Sequence, residues 1–261
     1  MITSVDAAVA AINAAGVDLR LPAIRSESAR IADEAAREQI GYLPFLAECL
    51  AAEIDVRTQR RMERRLTEAK FPRMKRLEDF DIDVGPKAVT PALLASLREG
   101  TFINAGHPVV FLGNSGTGKS HLLIGTGVAA AREGRRVRYI TTAALVNELS
   151  EAADDKMLSR VVARYGRLDL LCLDELGYVQ LDTRGAELLF QVITEREERS
   201  SVAVASNAPF SEWGRTFTDA RLVAAVVDRL TFNATIVECG TESFRLRSTR
   251  SKKGAKTGLI S

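Results

Sequence analysis

Eight consecutive residues, Gly113-Asn114-Ser115-Gly116-Thr117-Gly118-Lys119-Ser120, constrain this chain more than any other part of it. They follow the apolar run 108–112 (PVVFL) and lead into a helix expected over 119–133. A short strand that turns through glycines into a helix is the start of a strand–helix–strand unit, and such units build parallel sheets. The eight residues match G-x-x-x-x-G-K-[ST] in full, a pattern with a chemical reason at each fixed position. Glycines let the backbone curl so that successive N–H groups point inward at phosphate oxygens, and the helix N-terminus adds partial positive charge. Lys119 is placed to reach the β- and γ-phosphates of a nucleotide, and the Ser120 hydroxyl to ligate Mg²⁺. From typical composition the pattern arises by accident in roughly one such chain per hundred, and the flanking strand and helix lower that further. The expected ligands are therefore ATP and Mg²⁺.

The alternation continues downstream. Strands are expected over 137–140, 168–173 and Ser201–Ser206, and helices over 143–151, 186–198 and 222–230, with a charged stretch to Arg167 between the second strand and the helix before it. The fold class is α/β, a parallel sheet covered by helices on both faces. Upstream, residues 1–30 are Ala-rich and read as a loosely held helix with a linker around Pro22. From Tyr42 to Lys70 the chain reads as one helix, with Leu43, Leu46, Leu50 and Ile54 forming an apolar stripe. Arg57, Arg60, Arg61, Arg64 and Arg65 fall at i, i+3, i+4, i+7 and i+8, which puts five guanidinium groups on one helical face. Pro72 ends that helix, and a polar connector with Gly85 and Pro86 follows. We therefore expect a small all-helical domain over 1–78, an α/β domain over 79–250, and a basic, disordered tail over 251–261.

Three further features bear on the phosphate loop. The run Leu170-Leu171-Cys172-Leu173 ends in Asp174 and Glu175, at the sheet edge where open α/β proteins bind ligands. Asp174 is placed to hold Mg²⁺ and Glu175 to act as general base toward water; the bland alternative is two acids that close a strand before Gly177. Asn207 follows the strand Ser201–Ser206, where an amide can bond both a γ-phosphate and the attacking water, although Asn is common in any such turn. Arg229 follows Asp228 near the end of a helix. It suits charge stabilisation on a transferring phosphoryl group, often from a neighbouring subunit, or a surface ion pair with Asp228 or another nearby acid.

The formal charge of +2 names no partner, but its distribution does. Only Glu63 and Glu68 lie among the arginines of the 57–65 face, too few to pair them all, and such rows are the electrostatic footprint of DNA binding. Residues 245–256 are basic with no acid among them. Cys49, Cys172 and Cys239 show neither a disulfide framework nor metal-ligand spacing. There is no basic segment ahead of an apolar one at the N-terminus, and no run near the roughly 20 residues needed to span a bilayer. The expectation is a cytoplasmic protein without a membrane partner.

These residues resemble the IstB-like ATP-binding proteins, the AAA+ helper ATPases of bacterial transposition related to the DnaC helicase loaders. The resemblance is carried by YLPFLAECLAAEIDVRTQRRMERRLTEAKFPRMKRLEDFD, FLGNSGTGKSHL, LLCLDELGY, ASNAPFSEW, AVVDRL and SFRLRS. It implies a P-loop AAA+ domain, with Asn207 as the sensor residue beside the γ-phosphate and Arg229 as an arginine supplied to a neighbour's site. It implies a second sensor at Arg245 or Arg247 without choosing between them. His121 matches its GKSHL pattern, either at the nucleotide or as packing at the helix start. The implied activity is ATP hydrolysis coupled to assembly of a homo-oligomer on duplex DNA, which is delivered to a partner transposase. A helicase loader is the alternative. A small-molecule kinase using the same loop fits less well, because the acid pair and the AVVDRL helix have no place in it.

Overall fold

The computed structural model describes residues 4–178, 180–217, 219–241 and 243. The chain divides into two compact units, Met1–Arg64 and Arg65–Ser261.

The first unit is helical: α1 (Val5–Asp18), α2 (Pro22–Arg37) and α3 (Tyr42–Ala69), the last continuing into the second unit. Pro22 is the first residue of α2, where a fixed φ suits a helix and a missing N–H costs nothing, so the linker expected there is a tight turn. The N-terminus of α2 is capped from α3: the buried Glu53 carboxylate accepts from the N–H groups of Ala23 (2.8 Å) and Ile24 (3.3 Å) and pairs with Arg57 at 3.0 Å. Burial alone would raise the Glu53 carboxyl, but Arg57 and the two N–H groups outweigh it and hold it below the usual range. This capped face, with Cys49 and Glu53 buried, is not the one that carries the leucines. Leu43, Leu46, Leu50 and Ile54 keep their helical spacing, yet they are 80%, 51%, 47% and 63% exposed.

The second unit begins inside α3. Leu66 and Ala69 join Phe71 and Leu77 in a core shared with Phe111 and Leu123, so the stretch expected to close the first domain packs into the second. The expected boundary at 78/79 therefore differs from the division at 64/65. Next come α4 (Pro91–Glu99), α5 (Thr101–Asn104), β1 (Val109–Leu112), α6 (Lys119–Arg132), β2 (Val137–Thr141) and α7 (Thr142–Asp154). They are followed by α8 (Leu158–Gly166), β3 (Leu170–Leu176), α9 (Thr183–Arg196), β4 (Ser201–Ser206), α10 (Ala220–Thr231) and β5 (Thr235–Glu238). The five strands are parallel in the order β2-β3-β4-β1-β5. Alternate residues of β1 feed two cores, Val109 and Phe111 under α4–α6, and Val110 and Leu112 under α7–α10.

Elements that go beyond the sequence pattern include α4, α5, α8 and β5. The charged stretch before Arg167 contains α8, whose Val161, Val162 and Tyr165 face the core while Arg160 and Arg164 face solvent. The edge strand β5 is short, with only Val237 buried, and it pairs with β1 along its full length.

Candidate nucleotide-binding site

Strand β1 lies between β4 and β5 and delivers the loop at the carboxyl edge of the sheet. Both neighbours fix the entry to the loop: Gly113 N–H donates to Ser206 O (3.2 Å) and Asn114 N–H to Gly240 O (3.0 Å). Gly116 and Gly118 have φ of 86° and 98°, and a Cβ at Gly118 would lie 2.9 Å from the Phe80 ring. Only glycine meets both demands. The Thr117 hydroxyl (2.9 Å) and the buried Lys119 ammonium (2.6 Å) donate to the Asn114 carbonyl, which holds the lysine head inside the loop.

At the end of β3 the Asp174 side chain is buried and held by donors from three elements. Its Oδ1 accepts from Ser120 Oγ (3.3 Å) and the Glu175 N–H (2.8 Å), and its Oδ2 from the Tyr139 hydroxyl (2.8 Å). Thr142 Oγ1 donates to the Asp174 backbone carbonyl at 3.0 Å. Burial, and then the Asp174 charge, push the Tyr139 hydroxyl well above its ordinary pKa, so it remains a donor at neutral pH. Ser120 and Asp174 thus present a hydroxyl and a carboxylate oxygen side by side, a hard-oxygen pair that fits Mg²⁺. Among the described residues no cluster of three or more His, Cys, Asp or Glu could cage a metal, so an ion here would take its other ligands from nucleotide and water.

Glu175 breaks the strand's alternation. Its φ is +61°, and the pairing of β3 with β4 shifts register between Leu173 and Leu176. Asp174 and Leu176 stay buried while Glu175 turns out to solvent beside the loop. A non-glycine residue in this conformation costs on the order of 1–3 kcal/mol, and such strain concentrates at functional sites. Asn207 follows Ser206, which pairs in register with Leu112 at the mouth of the loop. Its position is set by a small network: Ser206 Oγ donates to Ala208 O (2.7 Å) and accepts from the buried Trp213 Nε1–H (3.1 Å).

His121 faces the connector. Its Nε2 lies 2.8 Å from the Arg76 carbonyl, which can only accept, and its ring meets Phe80 edge-on with centroids 5.3 Å apart. Burial pushes its pKa down, so the neutral imidazole packs residues 76–80 against the start of α6.

Arg229 lies at the opposite, amino edge of the sheet, on a cavity of about 190 Å³ lined also by His107, Pro108, Arg196 and Asn233. Its side chain folds back so that Nη1 donates to Ala225 O (3.1 Å), and its guanidinium covers the Phe190 ring at 4.7 Å. Glu197 Oε2 lies 2.9 Å from Nε, but outside hydrogen-bonding angle, which makes this an ion pair without a directed bond. Within the protomer Arg229 therefore pairs with an acid, one of the two roles its sequence position allowed; the acid is Glu197, not Asp228.

Of the arginine row, Arg57, Arg60, Arg61 and Arg64 are exposed in the first unit, with Arg57 donating to Arg20 O (2.9 Å) besides pairing with Glu53. Arg65 departs from the expected row. It belongs to the second unit, where Nε donates to Gly134 O (3.1 Å) and Nη1 pairs with Glu68 (2.7 Å). Arg245 and Arg247 lie outside the described residues. Tyr139, Thr142 and Trp213 are site residues that pattern reading does not find, because each acts through the geometry of a strand or helix distant in sequence. The only local hint is the hydroxyl-bearing ring within an otherwise apolar and basic strand, VRYIT.

A parallel sheet with this loop and acid pair at its carboxyl edge defines the class of P-loop nucleotide-binding proteins. The fold is similar to that of AMPPCP-bound DnaA from Aquifex aeolicus, with a TM-score of 0.53 and 23% identity over 65% of this chain and 50% of that one. It is similar to DnaI with a TM-score of 0.51 and 17% identity over 63% and 90%. The chain belongs to the IstB-like ATP-binding protein family, whose family model matches residues 14–252. It is 37% identical to an insertion-sequence ATP-binding protein of Sinorhizobium fredii, covering 90% of this chain and 79% of that protein. It is 34% identical to the IS21 ATP-binding protein of Pseudomonas aeruginosa, covering 86% and 84%. Among the described residues no helix is long and apolar enough to cross a membrane.

Proposed function

We propose that this chain is an ATPase that assembles on duplex DNA in its ATP state and serves a partner transposase, with hydrolysis dismantling the assembly. The observation that carries the reading is the contact of Ser120, at the end of the loop, with Asp174 at the end of β3, next to which Glu175 turns outward. The loop N–H groups and Lys119 bind the β- and γ-phosphates. Mg²⁺ held by Ser120 and Asp174 supplies charge neutralisation on those phosphates when bound. Glu175 accepts a proton from a water that Asn207 orients; the water oxygen bonds to Pγ as the bond from Pγ to the β–γ bridging oxygen breaks, leaving ADP and phosphate. Arg229, remote from its own loop, serves a second copy of the chain. Arg57, Arg60, Arg61 and Arg64 take the DNA phosphates, with Arg65 in a supporting role; the binding weakens steeply with salt. The names of the relatives support the link to transposition.

Glu175→Gln tests the chemistry. ATP binding and ATP-dependent DNA binding are expected to persist while turnover falls about 10²- to 10⁴-fold, so that DNA complexes accumulate. Turnover at the normal rate would remove Glu175 from the mechanism. Stable capture of a replicative helicase, with no preference for duplex DNA, would replace the transposition role by that of a loader.

A further inference from the structure

We propose that Tyr139 is the positioning residue for the Mg²⁺ ligand, its hydroxyl locking the Asp174 carboxylate in the rotation that turns Oδ1 toward Ser120. The inference rests on the reading of Ser120 and Asp174 as the ligands of the ion. A carboxylate at a strand end turns easily about its last torsion, which has a broad two-fold profile. Here Oδ2 receives the Tyr139 hydroxyl at 2.8 Å, and Oδ1, which also accepts the Glu175 N–H at 2.8 Å, is the edge facing Ser120 Oγ at 3.3 Å; Tyr139 is the side-chain donor that holds the far oxygen.

The strand register explains why a tyrosine serves. Tyr139 pairs with Cys172 and Thr141 with Asp174, so the acid lies two residues further along the neighbouring strand. A side chain as long as tyrosine spans that diagonal and still ends in a donor; phenylalanine fills the same space without one. The ring has its own seat. Phe71 lies against it with centroids 6.3 Å apart, and Phe71 occupies the space that a Cβ at Gly127 would need, 2.8 Å from its Cε1. The donor is anchored on β2, outside the loop.

The test uses the full chain and a fluorescent ATP analogue, titrated first with EDTA present and then against increasing Mg²⁺. For Tyr139→Phe the affinity without Mg²⁺ should match wild type, while the Mg²⁺ concentration giving half of the metal-dependent gain rises about tenfold, as for other outer residues that orient a ligand. An unchanged Mg²⁺ midpoint would overturn the proposal. So would loss of Mg²⁺-free binding, since the ring would then be only a structural element. Asp174→Asn is the control that separates the two layers. If it also leaves the midpoint unchanged, the metal reading of Asp174 falls and takes the proposal with it. If it shifts the midpoint and Tyr139→Phe does not, only the role of Tyr139 falls.

Discussion

The two edges of the same sheet are finished to different degrees. At the carboxyl edge, the loop entry is bonded to β4 and to Gly240 beyond β5, Asp174 has donors from three elements, and Asn207 sits on a network closed by Trp213. At the amino edge Arg229 is folded back on its own helix, 23% exposed, with a loose ion pair and an aromatic face for company. The first edge is arranged to receive a charged ligand, and the second keeps a cation in reserve. The difference is the one expected of the proposed assembly, in which each edge carries one half of a site and a neighbour brings the halves together.

That comparison can be broken in several places. Of the changes that separate the two edges, the largest effect is expected from Arg229→Ala, which should cost about 10³-fold or more in assembled ATPase activity while leaving nucleotide affinity of the dilute protomer unchanged. Equal losses of binding and turnover in dilute protein would mean that Arg229 acts on its own loop. Ser206→Ala removes one of two acceptors for the buried Trp213 N–H and loosens the turn that carries Asn207. It should cost on the order of 1 kcal/mol in thermal or urea unfolding, and about tenfold in turnover at saturating ATP with affinity retained. A stability loss with full turnover would show that Asn207 does not depend on this network. The smallest effect belongs to Glu197→Gln. Releasing a partly exposed ion pair is worth up to about 1 kcal/mol, so the protein concentration giving half-maximal ATPase should fall about two- to five-fold. A rise instead would make Glu197 a support for Arg229 rather than a restraint.

The sequence pattern carried the carboxyl edge well and the amino edge poorly, for physical reasons. A phosphate loop is local: eight residues fix their own backbone, and the strands either side announce themselves as apolar runs. Asp174 and Glu175 are legible because they end a buried apolar run at the sheet edge where open α/β proteins bind ligands. Tyr139 and Trp213 are not legible, since each acts across a register that only pairing reveals. Arg229 could be placed on a helix from its spacing, but its pairing with Glu197 depends on how α10 meets the end of α9. The apolar stripe of α3 keeps the helical period read from the sequence, and its four residues are exposed. Periodicity says which residues share a face; it does not say what that face meets. Arg65 shows the same limit, one helical step from its exposed neighbours and turned to a backbone carbonyl at Gly134.

Complementation by mixing tests the central claim most directly. Lys119→Ala lacks a working loop and Arg229→Ala lacks the supplied cation, so each alone should be nearly inactive in the ATPase assay with duplex DNA. If one protomer's Arg229 completes another's loop, an equimolar mixture that assembles at random should regain about a quarter of wild-type activity, because that share of interfaces joins an intact loop to an intact arginine. A mixture no more active than its two components would contradict the account.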